Sequence, residues 1–293
     1  MPDRNKPQTP MPARALDHPQ IAVSDLDLAA EAYRRMGFTL APRMTHSFGT
    51  SNHLIMVGQE YLELIGGFSR IQDVELRNMM SPAGGHEGLL SLALFSEDIP
   101  ADMADYAARG AVTPTARTFS RPVPLPGGGE ATLSFTGCGI VNTAAPRMQI
   151  FACHQHNPDL VWKPEWMTHA NGAHCVAAVV YVADDPSRHA AYLELMVGQG
   201  SVREVGGMLQ VDTGRAGRIE VITPAMLDRR FPAGAAQRHE DIGDHGVGVR
   251  VRVVDLTRSA AVLRAAGVPF FEAPGALTVP AANACGVVLE FVQ

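Results

Sequence analysis

Apolar and polar residues alternate along this chain in short runs, and stretches of helical period separate the runs. Residues 18–23 alternate as a half-buried strand does. Asp25 stands where a helix cap belongs, and Leu28, Ala32 and Met36 put an apolar stripe on the helix it would open. Gly37 stops that helix. Residues 53–57 and 61–65 then read as two strands around the turn Gly58-Gln59-Glu60.

The same order recurs. Residues 247–254 alternate, Asp255 and Leu256 open a helix that ends at Gly267, and strand-like PFFEA, ALTVP and VVLEFV follow. A third copy runs from VAAVVYVADDP through SRHAAYLELMV to Gly198, then GMLQV and RIEVI. A more divergent copy begins at LLSLALFSEDIP, with the helix ADMADYAARG and the strands ATLSF and RMQIF. The closing strands YLELI, RMQIF, RIEVI and VLEFV align, and one position holds Glu63, Gln149, Glu220 and Glu290. With a period of two, each of these points away from its apolar neighbours. The fold class expected is α+β, with four βαβββ modules pairing into curved, barrel-like mixed sheets. The divisions are a disordered tail over 1–14, an N-terminal domain over 15–157, a linker over 158–172 containing NPDLVWKPEW, and a C-terminal domain over 173–293.

Composition narrows the function. Hydrophobic residues are 46% of the 293 and charged ones 18%, enough to bury a core and too apolar for a disordered chain. The formal net charge of −6 supplies no basic field for nucleic acid. No apolar run approaches the roughly 20 residues of a membrane span. The first fifteen residues lack the apolar segment of a secretory signal, and the four cysteines form no CxxC. A cytoplasmic protein with reduced thiols and a small-molecule substrate is the expectation.

The opening LDHPQIAVSDLDLAAEAYRRMGF and the run HSFGTSNHLIMVGQEYLELIG resemble the vicinal oxygen chelate superfamily, the second its glyoxalase-like branch. Glyoxalase I, fosfomycin and bleomycin resistance proteins and extradiol dioxygenases belong to that superfamily. The resemblance implies paired modules around one divalent metal ion (Fe, Mn, Ni, Zn or Co) that captures vicinal substrate oxygens. Modules can pair within one chain or across a homodimer. It places His18 and Glu63 at ligand positions. Imidazole plus carboxylate suits such an ion, and both residues lie opposite the apolar stripe. In the second module the matching first-strand position is about Ser91, a poor ligand, while Gln149 lies on its closing strand. His154 and His156, at i and i+2, share one strand face. His46, Thr50 and Asn52 cluster before a strand of the first module, and Arg250 is placed to hold an anionic group. These seven, Ser91 excepted and Gln149 included, are the expected substrate contacts.

A second metal site competes. His18 to Glu63 spans 45 positions, His245 to Glu290 spans 45 and His174 to Glu220 spans 46. His174, Glu220, His245 and Glu290 are therefore an alternative ligand set. Strand register weighs against it, because alignment on the aspartates puts Ala177 and Gly248 in the ligand slots. The lead function is a metal-dependent lyase or isomerase of glyoxalase type, with Glu63 or Glu290 moving the proton. The alternatives are an Fe(II) extradiol-type dioxygenase using His174, His245 and Glu290, and a non-catalytic binding or resistance protein.

Overall fold

The computed structural model describes residues 12–82, 85–112, 115–125 and 128–293. Most of the tail expected over 1–14 lies outside the described residues. Arg14 departs from it: the side chain is buried, its Nε donating to Asp102 at 2.7 Å and its Nη1 to the Met196 carbonyl at 3.1 Å.

The chain is a mixed α+β fold built on one large mixed sheet. Its first stretch is β1 (Leu16–Ala22), α1 (Leu26–Arg35), β2 (Met44–Thr45), β3 (Ser51–Val57), β4 (Glu60–Gly66) and a short α2 (Val74–Met80). Next come β5 (Gly88–Phe95), α3 (Ile99–Ala108), β6 (Thr115–Pro124), β7 (Glu130–Gly139) and β8 (Gln149–Gln155). The C-terminal half begins with β9 (Ala173–Val182), α4 (Ala190–Val197), β10 (Val202–Val205), β11 (Met208–Asp212), β12 (Arg218–Ile222) and α5 (Pro224–Arg230). It ends with β13 (His245–Val253), α6 (Leu256–Ala265), β14 (Phe271–Ala273), β15 (Ala276–Val279) and β16 (Val288–Val292).

Strand β1 pairs antiparallel with β5, and each also takes a parallel partner, β4 and β8 respectively. Strand β9 pairs antiparallel with β13, again with parallel partners, β12 and β16. A single rung, Gly246 opposite Leu89, joins β13 to β5 and so links the halves. A Cβ on Gly246 would lie 2.1 Å from Leu89 Cδ2, so only glycine lets these strands approach.

Aspartates open α1, α3 and α6. Asp25 accepts from the backbone N–H of Asp27 and Leu28, Asp98 from Ala101, and Asp255 from Thr257. The buried face of α1 is not the expected one. Leu26, Ala29, Ala30 and Tyr33 are buried with Met36, whereas Leu28 is 65% exposed. Counting from the cap puts Leu26 in the first turn against the sheet, and steps of three and four then reach Tyr33 and Met36. One continuous core draws on both halves, including Tyr33, Leu92, Met148, Val179, Leu193, Val249 and Phe291. The segment expected as a linker packs on the N-terminal half. The Trp162 indole donates to the Gly58 carbonyl at 3.2 Å, and His169 lies between the Thr39 N–H and the Met56 carbonyl. Among the described residues no helix is long and apolar enough to cross a membrane.

Candidate functional site

Register places the polar residue of each closing strand beside a residue of the opening strand. Gln20 lies opposite Glu63, Ser91 opposite Gln149, Val180 opposite Glu220 and Arg250 opposite Glu290. These four pairs have different chemistry, and the first lies in a buried polar centre that also holds histidines.

Glu63 is that centre. It is 3% exposed, and its carboxylate accepts from Gln20 Nε2 at 2.8 Å and from Asn52 Nδ2. His18 Nε2 stands 3.4 Å from Glu63 Oε2, and His18 Nδ1 bonds Asp17 at 2.7 Å. The His18 ring stacks on Tyr61, with centroids 4.2 Å apart. Burial works against the His18 charge, but the hydrogen bonds to Asp17 and Glu63 outweigh it and raise its pKa to about 9. Burial likewise works against the Glu63 carboxylate, and the His18 hydrogen bond and charge overcome that, holding it well below the usual range.

Arg121, from the β6–β7 hairpin, reaches into the same place. Its Nη1 lies 2.8 Å from His46 Nε2 and 4.0 Å from Glu63. A guanidinium only donates, so His46 Nε2 accepts, and Nδ1–H faces the Thr50 hydroxyl at 2.8 Å. Burial, then the Arg121 charge, lowers the His46 pKa to about 3 and keeps the ring neutral. Phe48 stacks on His46, and Phe119 and Phe135 pack beside them.

His18, Glu63, His46, Thr50 and Asn52 are therefore gathered as the sequence places them. Asp17, Gln20, Tyr61 and Arg121 complete the site, and the sequence singled out none of them. Gln20 carried a usable signal, two positions from His18 on the same strand face; Arg121 carried none.

The other expected contacts lie elsewhere. Gln149 turns its amide to the Asn142 and Pro146 carbonyls. His154 on β8 and His156 just past its end point away from Gln155, His156 bonding Thr136 at 2.8 Å, whereas Gln155 reaches Tyr61 at 2.9 Å. The alternative metal set is dispersed. In the antiparallel β9·β13 pair, exposed His174 and buried His245 occupy opposite ends. Glu220 is paired with Arg230 at 2.6 Å, and Arg250 bonds Glu290 and approaches Glu220 at 3.8 Å. Arg250 is thus the counter-ion of two carboxylates rather than a free anion-binding group, and Glu290 is not free to move a proton.

The donor set at Glu63 does not fit a resident divalent ion. A separation of 3.4 Å suits two ligands sharing one ion at about 2.0–2.2 Å, but a catalytic site of this type uses three protein ligands. The second imidazole, His46, is the candidate third ligand, but it gives its lone pair to Arg121, and the Arg121 charge stands 4.0 Å from Glu63. Among the described residues, the one cluster of three such groups with ligand atoms within 4.8 Å of one another is His86, His239 and Asp241, at a different place.

The mixed α+β sheet of this chain has the fold of the vicinal oxygen chelate superfamily. Within it the chain belongs to the glyoxalase-like domain family, whose model matches residues 16–196. No curated protein matches the chain. Solved structures share its fold. A hypothetical protein from Staphylococcus aureus is 11% identical with a TM-score of 0.63, over 94% of this chain and 98% of that one. A variant of 4-hydroxymandelate synthase from Streptomyces coelicolor is 14% identical with a TM-score of 0.56, over 97% and 93%. The Mn(II)-bound glyoxalase from Novosphingobium aromaticivorans is 11% identical with a TM-score of 0.55, over 96% and 82%.

Proposed function

We propose that the N-terminal half binds a small, neutral, hydroxyl-bearing molecule without a metal ion, and that the chain acts as a binding protein of the resistance type. We read the fold as four βαβββ modules, the N-terminal pair keeping a polar centre for a ligand and the C-terminal pair closed by Arg250.

The observation that carries this is a set of buried polar atoms with no partner around that centre. They are Asp17 Oδ1 beside His18, Asn52 Oδ1 and Arg121 Nε at Glu63, and Gln155 Oε1 beside Tyr61. Each such atom left unpaired costs about 1–3 kcal/mol, which a ligand supplying the partner recovers. Three acceptors and one donor suit a molecule carrying hydroxyl groups. The charges already balance, with Asp17 and Glu63 against protonated His18 and Arg121, so an ionic ligand would leave a surplus. Phe48, Phe119 and Phe135 favour a flat apolar body, such as a phenol or an aromatic vicinal diol.

Acid–base catalysis, the core of the lyase or isomerase reading, wants a group that titrates near neutral pH. Here His46 is pushed down to about 3 and His18 up to about 9, while burial pushes Tyr61 and Cys153 further up. The Fe(II) dioxygenase reading needs His174, His245 and Glu290 together, and they stand apart.

Calorimetric titration of EDTA-treated protein with catechol tests the proposal. Catechol is expected to bind one per chain, with affinity unchanged by added Mn(II). Arg121→Lys keeps the charge but loses the Nε–H and should weaken binding about tenfold. Catechol binding that requires Mn(II) and disappears in His18→Asn would overturn the metal-free reading, and no binding at all would overturn the ligand class.

A further inference from the structure

We propose that His86, His239 and Asp241 bind one divalent transition-metal ion, zinc fitting best, at the seam between the two halves, with a water or hydroxide as fourth ligand. The site is independent of the Glu63 centre and shares no residue with it.

One ligand atom from each of the three residues lies within 4.8 Å of the others. His86 Nε2 and Asp241 Oδ2 are 3.1 Å apart, close to the spacing of two ligands on one ion. The His86 and His239 rings are stacked, with centroids 3.9 Å apart and planes within 20°. His239 Nε2 is buried and has no hydrogen-bond partner. A buried imidazole nitrogen without a partner, beside a second imidazole and a carboxylate, lacks a Lewis acid or a proton donor. The backbone holds the ring there, since the His239 N–H donates to His245 Nε2 at 3.3 Å and His245 Nδ1 donates to the Gly243 carbonyl at 2.6 Å.

A cavity of about 30 Å3 opens on His86 and His239, bordered by Arg147 and Gly246. That volume accommodates one water molecule. Two histidines, one carboxylate and one water make the open tetrahedral set typical of zinc, and imidazole with carboxylate also accepts cobalt or nickel. Glu87 is not in that cluster, and its Oε1 accepts from the Ser24 N–H and hydroxyl. The Arg147 guanidinium donates to the Ser81 carbonyl at 3.1 Å on the same cavity wall.

Location gives the ion a role. His86 lies just before β5, and His239 and Asp241 just before β13, the two strands joined by the single Gly246–Leu89 rung. An ion held by both segments ties the halves together where the sheet is thinnest.

Tag-free full-length protein, stripped with EDTA and desalted, should take up one zinc per chain in a titration with zinc chloride alone. With zinc at a hundredfold excess over its Kd, the melting temperature should rise by roughly 5 °C. His239→Ala and Asp241→Asn should each lose the stoichiometric uptake and the rise while melting with the wild-type chain in the absence of zinc. His18→Asn should keep both. Retention of one zinc per chain by His239→Ala, or no uptake by the wild-type chain, overturns the proposal. Loss of uptake in His18→Asn with none in His239→Ala moves the ion to the Glu63 centre and overturns it too.

Discussion

Replacing Glu63 with glutamine removes the anion on which the N-terminal centre is organised. Leu62 and Leu64 are fully buried on either side and hold β4 in place, so the variant remains folded. It is weakened because Gln20, Asn52 and His18 all donate toward a carboxylate that becomes an amide with one acceptor oxygen. Buried Arg121 also loses its nearest anion, at 4.0 Å. Removing one partner from a buried charged set costs about 3–5 kcal/mol, a large share of the 5–15 kcal/mol typical of a folded domain. The pH dependence adds a second reading. His18 rises from 6.5 to about 9 on folding, so its contribution is fully present below pH 6.5 and is lost as the pH climbs through 9. Each tenfold in proton affinity is about 1.4 kcal/mol, giving a contribution of about 3 kcal/mol. Urea unfolding at pH 6.5 and pH 10 measures both effects. The wild-type chain should lose about 3 kcal/mol between the two, and the gap between it and Glu63→Gln should narrow at the higher pH. A gap below about 1 kcal/mol at pH 6.5, or one that widens with pH, would refute the charge network described for Glu63.

Two further outcomes check the rest of the fold. Arg250→Met should destabilise the chain by about 2 kcal/mol in urea, because Glu290 then lies buried without its cation; a change within error would mean the carboxylates find other partners. On α1, Leu26→Ala should cost about 2–3 kcal/mol and Leu28→Ala close to nothing by thermal melting, and the reverse order would mean that the other face packs on the sheet.

The parts legible in the sequence are those set by local period and capping. The four closing strands, the aspartate caps and the glycine stops all depend on residues near in sequence, and they occur where the pattern puts them. Which side of α1 faces inward depends on the helix's angle to the sheet, which three apolar positions do not define. The polar centre was half legible. His46, Thr50, Asn52 and Glu63 lie on one short antiparallel ribbon, so local spacing brings them together. Arg121 arrives from a hairpin 58 positions after Glu63, and no periodicity reports such a contact. Equal His-to-Glu spacings pointed to a second site and misled, because His245 starts its strand, whereas Glu290 lies opposite Arg250, five residues further along. His86 and His239 sit on connections in different halves, and the β5·β13 rung with the Arg147–His245 bridge beside it makes them neighbours.

Arg250 changes how the C-terminal half depends on its surroundings. A metal ion bridging two carboxylates is in exchange with solvent: a chelator can withdraw it, scarcity can leave the position vacant, and a competing ion can take it. The Arg250 cation is tethered to the backbone and stays at one fixed effective concentration beside Glu220 and Glu290. No chelator or buffer component removes it. The junction of β12, β13 and β16 therefore keeps its charge balance under any metal supply, and the same permanence closes that junction to exchangeable cations.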